Sequence, residues 1–356
     1  MRENPLKIAV LGLNDTGRLM LEATKGFDYF TIAAVGDNDT NLAQQVAKEH
    51  NCAAYDDYRQ LIIQNQLDCL FVAAPLHSCA EYLKMAIKKK FHILKAPPLA
   101  RNFSEASEFV KLAQNEGITL AVANTDRFAQ SSLAARGHFL QNPAEQPFLI
   151  LAAAGQPPSD VPQATWRNDP VLAGGGVLLY ECWEIIDQIT LNFGLPQQVY
   201  CPVLSTVEGV AGSAAPDRQQ RLYLTEDSAI VTMKFNDTLS GNLLAGRAAV
   251  ASSTGNQQQK WLIAQGQDTL IRCDDKSFEV TDSRGQRLRR DEFNDDDLGR
   301  MKMTLDNFGS HLLWPDKNHL VSPAADNLNN MALIEAVYLS ARTGMPEQPG
   351  RILKIA

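Results

Sequence analysis

The stretch LKIAVLGLNDTGRLMLEATKGF, residues 6–27, decides the fold. A short apolar run enters Gly12-Leu13-Asn14-Asp15-Thr16-Gly17, and a helix-period pattern follows. Strand, glycine turn and helix in that order are the context of a dinucleotide-binding turn. The first glycine permits the tight turn and the last lets the helix pack close to the strand, while the middle one normally lets the backbone approach the pyrophosphate. Where the usual motif has its middle glycine stands Asn14, whose Cβ and carboxamide would crowd the phosphates, although Asn tolerates unusual backbone angles. Asp37 closes the next apolar run, twenty residues beyond Gly17. A carboxylate there accepts hydrogen bonds from an adenosine ribose and repels a 2′-phosphate, so NAD is expected over NADP. A second reading makes Asp37 only the cap of the helix that starts at Asp39 and Thr40.

Working outward, further apolar runs lie at 30–37, 67–75, 91–98 and 118–126, with a shorter one at 52–57. Helical patterns separate them, which is the signature of βαβ units and a parallel sheet buried on both faces. After about residue 128 the pattern changes to period-two alternation at 147–154, 198–207, 228–235, 240–250, 260–266 and 268–275, with helices near 177–193 and 323–342. The fold expected is an α/β Rossmann-type domain over 1–128, then an α+β domain over 129–356 with a large open, mainly antiparallel sheet and C-terminal helices. Several of the second domain's strands read as one antiparallel meander. The acidic run from Asp291 to Asp297, which follows Arg287 to Arg290, reads as a mobile surface loop.

Thirty-three Lys and Arg against 41 Asp and Glu give a formal charge of −8, so no basic field favours a nucleic acid backbone. No apolar run is long enough to span a bilayer, and the N-terminal residues lack a signal-peptide pattern, so a cytoplasmic protein with no membrane partner is expected. Six cysteines without a C-x-x-C pair and six dispersed histidines give neither a disulfide framework nor metal-ligand spacing, and no metal is expected.

Four landmarks then appear in order: Ala74-Pro75-Leu76-His77; His92-Ile93-Leu94-Lys95-Ala96-Pro97-Pro98-Leu99-Ala100; Asn124 with Arg127-Phe128; and Trp166-Arg167-Asn168-Asp169-Pro170 followed by Gly174-Gly175-Gly176. With these the chain resembles, almost end to end, the glucose–fructose oxidoreductase and inositol dehydrogenase family, Gfo/Idh/MocA. The resemblance implies hydride transfer between a nicotinamide and a carbinol carbon of a sugar, cyclitol or related molecule. It also implies a homodimer or homotetramer built on the second-domain sheet. Around the cofactor it places Ala74, Pro75, His77 and Lys95, beside Gly12, Asn14, Asp15, Thr16, Gly17 and Asp37 of the first turns.

The departures fall on the chemistry. The family's E-K-P lysine aligns with Pro97, its aspartate with Tyr180 and its histidine with Glu184; Asp187 is retained. Helical spacing would put Tyr180, Glu184 and Asp187 on one face, where like-charge repulsion and burial would tune Glu184 toward acid–base work. Lys95 lies two positions before the lost lysine, on the same strand face but at a different depth. Two function classes follow: an NAD(P)-dependent oxidoreductase with a rebuilt acid–base set of Glu184, Tyr180, Asp187 and Lys95, or a non-catalytic relative that serves as a ligand sensor or assembly subunit. In the second class Glu184 is a structural polar residue.

Overall fold

Leu6–Leu11 (β1) is buried at five of its six positions, as a strand covered on both faces must be. In the computed structural model, which describes residues 5–142, 146–155, 165–205, 225–246 and 259–354, the chain continues as α1 (Asp15–Thr24), β2 (Phe30–Gly36), α2 (Thr40–His50), β3 (Ala53–Tyr55), α3 (Tyr58–Gln64), β4 (Cys69–Val72), α4 (Leu76–Lys88), β5 (His92–Lys95), α5 (Phe103–Glu116) and β6 (Leu120–Val122). The strands form one parallel sheet in the order β3-β2-β1-β4-β5-β6. Strand order reverses between β1 and β4, so the crevice beyond their carboxyl ends is where a doubly wound sheet binds its ligand.

The chain then runs through α6 (Gln130–Gln141), β7 (Leu149–Gly155), a 3-10 turn (Thr165–Asn168), α7 (Pro170–Ala173), α8 (Trp183–Phe193), β8 (Gln198–Ser205), β9 (Ser228–Lys234), β10 (Ser240–Gly246), β11 (Gln259–Gln265), β12 (Thr269–Asp274), β13 (Ser277–Asp282) and β14 (Arg287–Glu292). Helices α9 (Asp297–Leu313), α10 (Ala324–Thr343) and α11 (Pro349–Leu353) complete it. The second sheet has eight strands in the order β14-β13-β12-β11-β7-β10-β9-β8. It is antiparallel except between β7 and β10, so β7 enters the middle of the sheet and the strands do not form one meander. Residues 206–207 and 247–250, read as strand ends, lie outside the described residues.

Two further expectations change. Asp291 and Glu292, read as the start of a loop, instead end the edge strand Arg287–Glu292: it pairs with β13, and its charges bridge along and across the edge as Arg289 with Asp291 and Arg290 with both Glu292 and Glu279. Charge on an edge strand discourages pairing with another chain. The chain also returns to the nucleotide-type unit, which comprises Met1–Ala100, Ser104–Phe128 and Asp296–Asn327. Met301, Leu305 and Phe308 of α9 enter its core, where Phe308 meets Phe71 edge to face at 6.1 Å. Arg101–Phe103, Ala129–Asp295 and Leu328–Ala356 make the second unit.

Candidate functional site

In the first unit the glycine turn is packed with almost no slack. Gly12 has φ +84°, and a Cβ on it would lie 2.4 Å from the Ala74 nitrogen; one on Gly17 would lie 1.9 Å from the Gly12 oxygen. Thus the first and last glycines of the motif are required by the meeting of β1, α1 and the segment that follows β4. Asn14 does not use its tolerance for unusual backbone: its φ of −62° and ψ of 179° are ordinary. Its Oδ1 accepts from Gly17 N at 3.0 Å and its Nδ2 donates to Ala73 O at 2.9 Å. The carboxamide is an N-cap for α1, tied back to the scaffold.

That cap satisfies one of the donors at the start of α1. Among the described residues, no acceptor takes the backbone N–H groups of Asn14, Asp15 and Thr16. Together with the helix dipole they form a cradle for an anion. The Asp15 carboxylate is exposed and Thr16 half-buried. Asp37 lies just past β2; its Oδ2 accepts from Leu13 N at 2.7 Å and its Oδ1 from Asp39 N at 3.0 Å. Asp39, not Asp37, caps α2, accepting from the N–H groups of Asn41 and Leu42. Asp37 therefore ties the glycine turn to the end of β2 and keeps further lone pairs on both oxygens for a ribose. Glycines that only Gly can be, open N–H groups and this carboxylate fit a dinucleotide.

Ala74 is buried against Gly12, Pro75 immediately precedes α4, and His77 lies half-buried in its first turn. Lys95 sits apart in character: its side chain is interior at 2% exposure and its ammonium donates to Ala96 O at 2.9 Å. Burial pulls its pKa below the ordinary lysine value, with Cys79 and Glu105 pushing weakly the other way. Arg127 is likewise committed, donating to Val321 O at 2.6 Å with Asp326 at 3.8 Å.

In the second unit α8 begins at Trp183, so Tyr180 precedes the helix and the expected single face of Tyr180, Glu184 and Asp187 is not formed. The reason is non-local. Glu226 reaches into the Gly174-Gly175-Gly176 turn and accepts from Gly176 N at 2.8 Å and Leu178 N at 3.1 Å, while Tyr338 Oη donates to it at 2.8 Å. Cβ atoms on Gly175 and Gly176 would strike Tyr338 Oη and Glu226 O. Burial, the largest influence, raises the Glu226 pKa above the usual carboxylate value against these donors. Tyr338 and Cys182 are raised beyond their ordinary values, by burial first and then by the Glu226 charge for Tyr338 and the Glu181 and Glu226 charges for Cys182.

Tyr180 donates its hydroxyl to Ala173 O at 2.8 Å. Asp187 is wholly buried and accepts from Asn330 Nδ2 at 2.8 Å. Glu184 lies half-buried in the first turn of α8. Sequence reasoning missed Glu226, Tyr338 and Asn330, each brought in from more than 40 residues away. The one local hint is the Glu226-Asp227 pair directly ahead of an alternating strand.

A glycine turn at the switch point of a six-stranded parallel sheet, with a second unit of eight strands backed by helices, defines a two-unit class of dinucleotide-dependent oxidoreductases. The chain belongs to the Gfo/Idh/MocA oxidoreductase family. Its NAD-binding Rossmann domain profile matches residues 6–124 and its C-terminal α/β domain profile residues 152–348. Among curated relatives, D-xylose 1-dehydrogenase (NADP(+)) 2 of Haloferax volcanii is 26% identical over 49% of this chain and 53% of that protein. Trans-1,2-dihydrobenzene-1,2-diol dehydrogenase of Xenopus laevis is 26% identical over 51% and 56%. The chain thus spans about half the length of these relatives. Among solved structures, an Agrobacterium radiobacter oxidoreductase in complex with NAD+, L-tartaric acid and magnesium shares the fold with TM-score 0.81 at 18% identity, over 98% of this chain and 100% of that one. Levoglucosan dehydrogenase in complex with NADH and levoglucosan gives TM-score 0.82 at 17% identity, over 97% and 99%. Among the described residues no helix is long and apolar enough to cross a membrane.

Proposed function

We propose that this chain is an NAD-dependent oxidoreductase of cytoplasmic location, acting on a hydroxyl or carbonyl carbon of a sugar, cyclitol or related molecule. The observation that carries this reading is the glycine turn, with its open N–H cradle and the Asp37 carboxylate beside it. Bound there, the nicotinamide supplies the hydride acceptor or donor. Asp37 selects NAD because its charge opposes a 2′-phosphate. Asp37→Ala is expected to weaken NADH about 10- to 100-fold, the value of hydrogen bonds to a charged group, and to narrow the gap to NADPH. Fluorescence titration measures both, and unchanged NADH affinity removes Asp37 from the site.

Oxidation of a carbinol also needs a base that takes the hydroxyl proton. Glu184 is the group assigned to it, since Tyr180 spends its hydroxyl on Ala173 and Asp187 is buried against Asn330. Glu184→Gln is expected to lower polyol-dependent NAD reduction by about 100- to 10,000-fold with NADH affinity unchanged; an unaltered rate removes Glu184 from the mechanism. The same commitments of Tyr180 and Asp187, with Pro97 in the lysine's place, support the second reading, a non-catalytic ligand sensor or assembly subunit. That reading expects NADH binding without turnover on any polyol. The open sheet face, with Tyr200, Ile230 and Leu244 exposed on β8, β9 and β10, is the surface we assign to homodimer or homotetramer formation.

A further inference from the structure

The Trp166-Arg167 pair is built more elaborately than a solvated arginine requires. The Arg167 guanidinium carbon lies 4.8 Å from the Tyr180 ring centroid and 5.5 Å from that of Trp166. These two rings meet edge to face, 6.2 Å apart, so the guanidinium rests in an aromatic corner. The scaffold holds one wall and the arginine's own backbone: Tyr180 through its bond to Ala173 O, and Arg167 through Thr225 Oγ1, which donates to Arg167 O at 2.8 Å. Behind it stands Glu181, with a side chain 4% exposed against 38% for Arg167 and an N···O distance of 3.8 Å.

That distance is an ion pair without a hydrogen bond. Among the described residues the guanidinium makes no hydrogen bond at all, which leaves five N–H donors in a planar fork, held by stacking and half in solvent. Arg127 and Arg300 differ, their donors being taken by Val321 O and by Asp126. A pre-oriented fork with unused donors calls for a planar acceptor, and a carboxylate matches it in two parallel bonds. Glu181 also limits the charge that can be accepted. With Arg167 it sums to neutral, so one carboxylate adds a single negative charge beside Glu181, whereas a phosphate dianion adds two.

We propose that Arg167 is a specificity-determining residue that anchors the carboxylate of a sugar acid, with the Trp166 indole packing against the ligand's C–H face. The assignment rests on the reading above that Glu184, in this same unit, takes the substrate's hydroxyl proton. It narrows the substrate class to polyhydroxy acids of the aldonate and uronate type. Because the neighbouring carboxylate cancels the formal charge, recognition depends on the two-bond geometry, and lysine is no substitute for Arg167.

Calorimetric titration of the full chain with D-gluconate, D-glucuronate, D-glucose and D-glucose 6-phosphate, with and without NADH, tests this. At least one acid is expected to bind tenfold or more tightly than glucose and than the phosphate. Arg167→Lys and Arg167→Gln are each expected to weaken the acid about 10- to 100-fold, the range for hydrogen bonds to a charged group, with NADH affinity and melting temperature held. Equal affinity for glucose and the acids, tighter binding of the phosphate, no binding of either acid, or an acid affinity unmoved in the glutamine variant overturns the proposal. The wild-type panel decides the matter even if a variant misfolds. NADH binding without acid binding leaves the oxidoreductase reading standing and removes this one; Arg167-dependent acid binding without NADH binding does the reverse.

Discussion

Gly12→Ala is expected to abolish NADH binding and to cost the first unit about 3 kcal/mol, the combined scale of a left-handed backbone penalty and overpacking. The added methyl would meet Ala74 N at 2.4 Å, Ala74 Cα at 2.6 Å and Ala73 C at 2.7 Å. All three are backbone atoms, which cannot rotate aside as a flexible side chain does. Relief must come from moving β1 away from the segment after β4, and that segment is where Asn14 Nδ2 is anchored through Ala73 O. Displacing it turns the Asn14 cap and the N–H groups beside it away from a common focus. Gly137→Ala is the matched control. It lies inside α6 with open space where its Cβ would go, so it is expected to gain up to about 1 kcal/mol of helix propensity. Urea denaturation and NADH titration on the two variants check this pair. If Gly12→Ala binds NADH like the wild type, the turn is not the nucleotide site.

Why the first unit was legible and the second less so follows from the distances over which their contacts form. Gly12, Gly17 and Asp37 carry their meaning within a single strand–turn–helix–strand unit, and the structure joins them through Leu13 N and Gly12 N, the latter bonded to Gly36 O at 2.8 Å. Tyr180 was misplaced for the opposite reason. Residues 177–193 are apolar enough to read as one helix, but Glu226 arrives from 50 positions away to hold residues 176–178 in a turn. Helical period carries no trace of such a tie. Asp291 and Glu292 escaped because an acidic run looks like a solvated loop, whereas at the end of an edge strand they answer Arg289 and Arg290 two positions earlier. The return of α9 to the first unit is equally silent in the chain order, since Met301, Leu305 and Phe308 form an ordinary apolar stripe that any core would accept.

The second large effect is expected at Glu226, which no local motif announces. Glu226→Ala leaves the N–H groups of Gly176 and Leu178 and the Tyr338 hydroxyl without their acceptor in a buried space. At the usual cost of unsatisfied buried donors plus a small cavity, the loss is about 4 kcal/mol. Glu226→Gln should cost about half as much, because one amide oxygen still serves Leu178 and Tyr338 while the amide nitrogen opposes the Gly176 N–H. The two variants also separate by pH. Burial raises the Glu226 pKa in the folded chain, so the folded state holds a proton that the unfolded chain has released. This contribution is complete below the ordinary glutamate value and is lost as pH rises through the raised one. The stability advantage of the wild type over Glu226→Gln should therefore shrink as pH rises across that window, and a constant gap would show that Glu226 does not titrate there. Denaturation of the second unit, followed at several pH values, gives both numbers. Since the turn held by Glu226 leads into Tyr180 and α8, Glu226→Ala should also lower turnover, while NADH affinity, which the proposed site assigns to Gly12 and Asp37 in the other unit, should stay at the wild-type value.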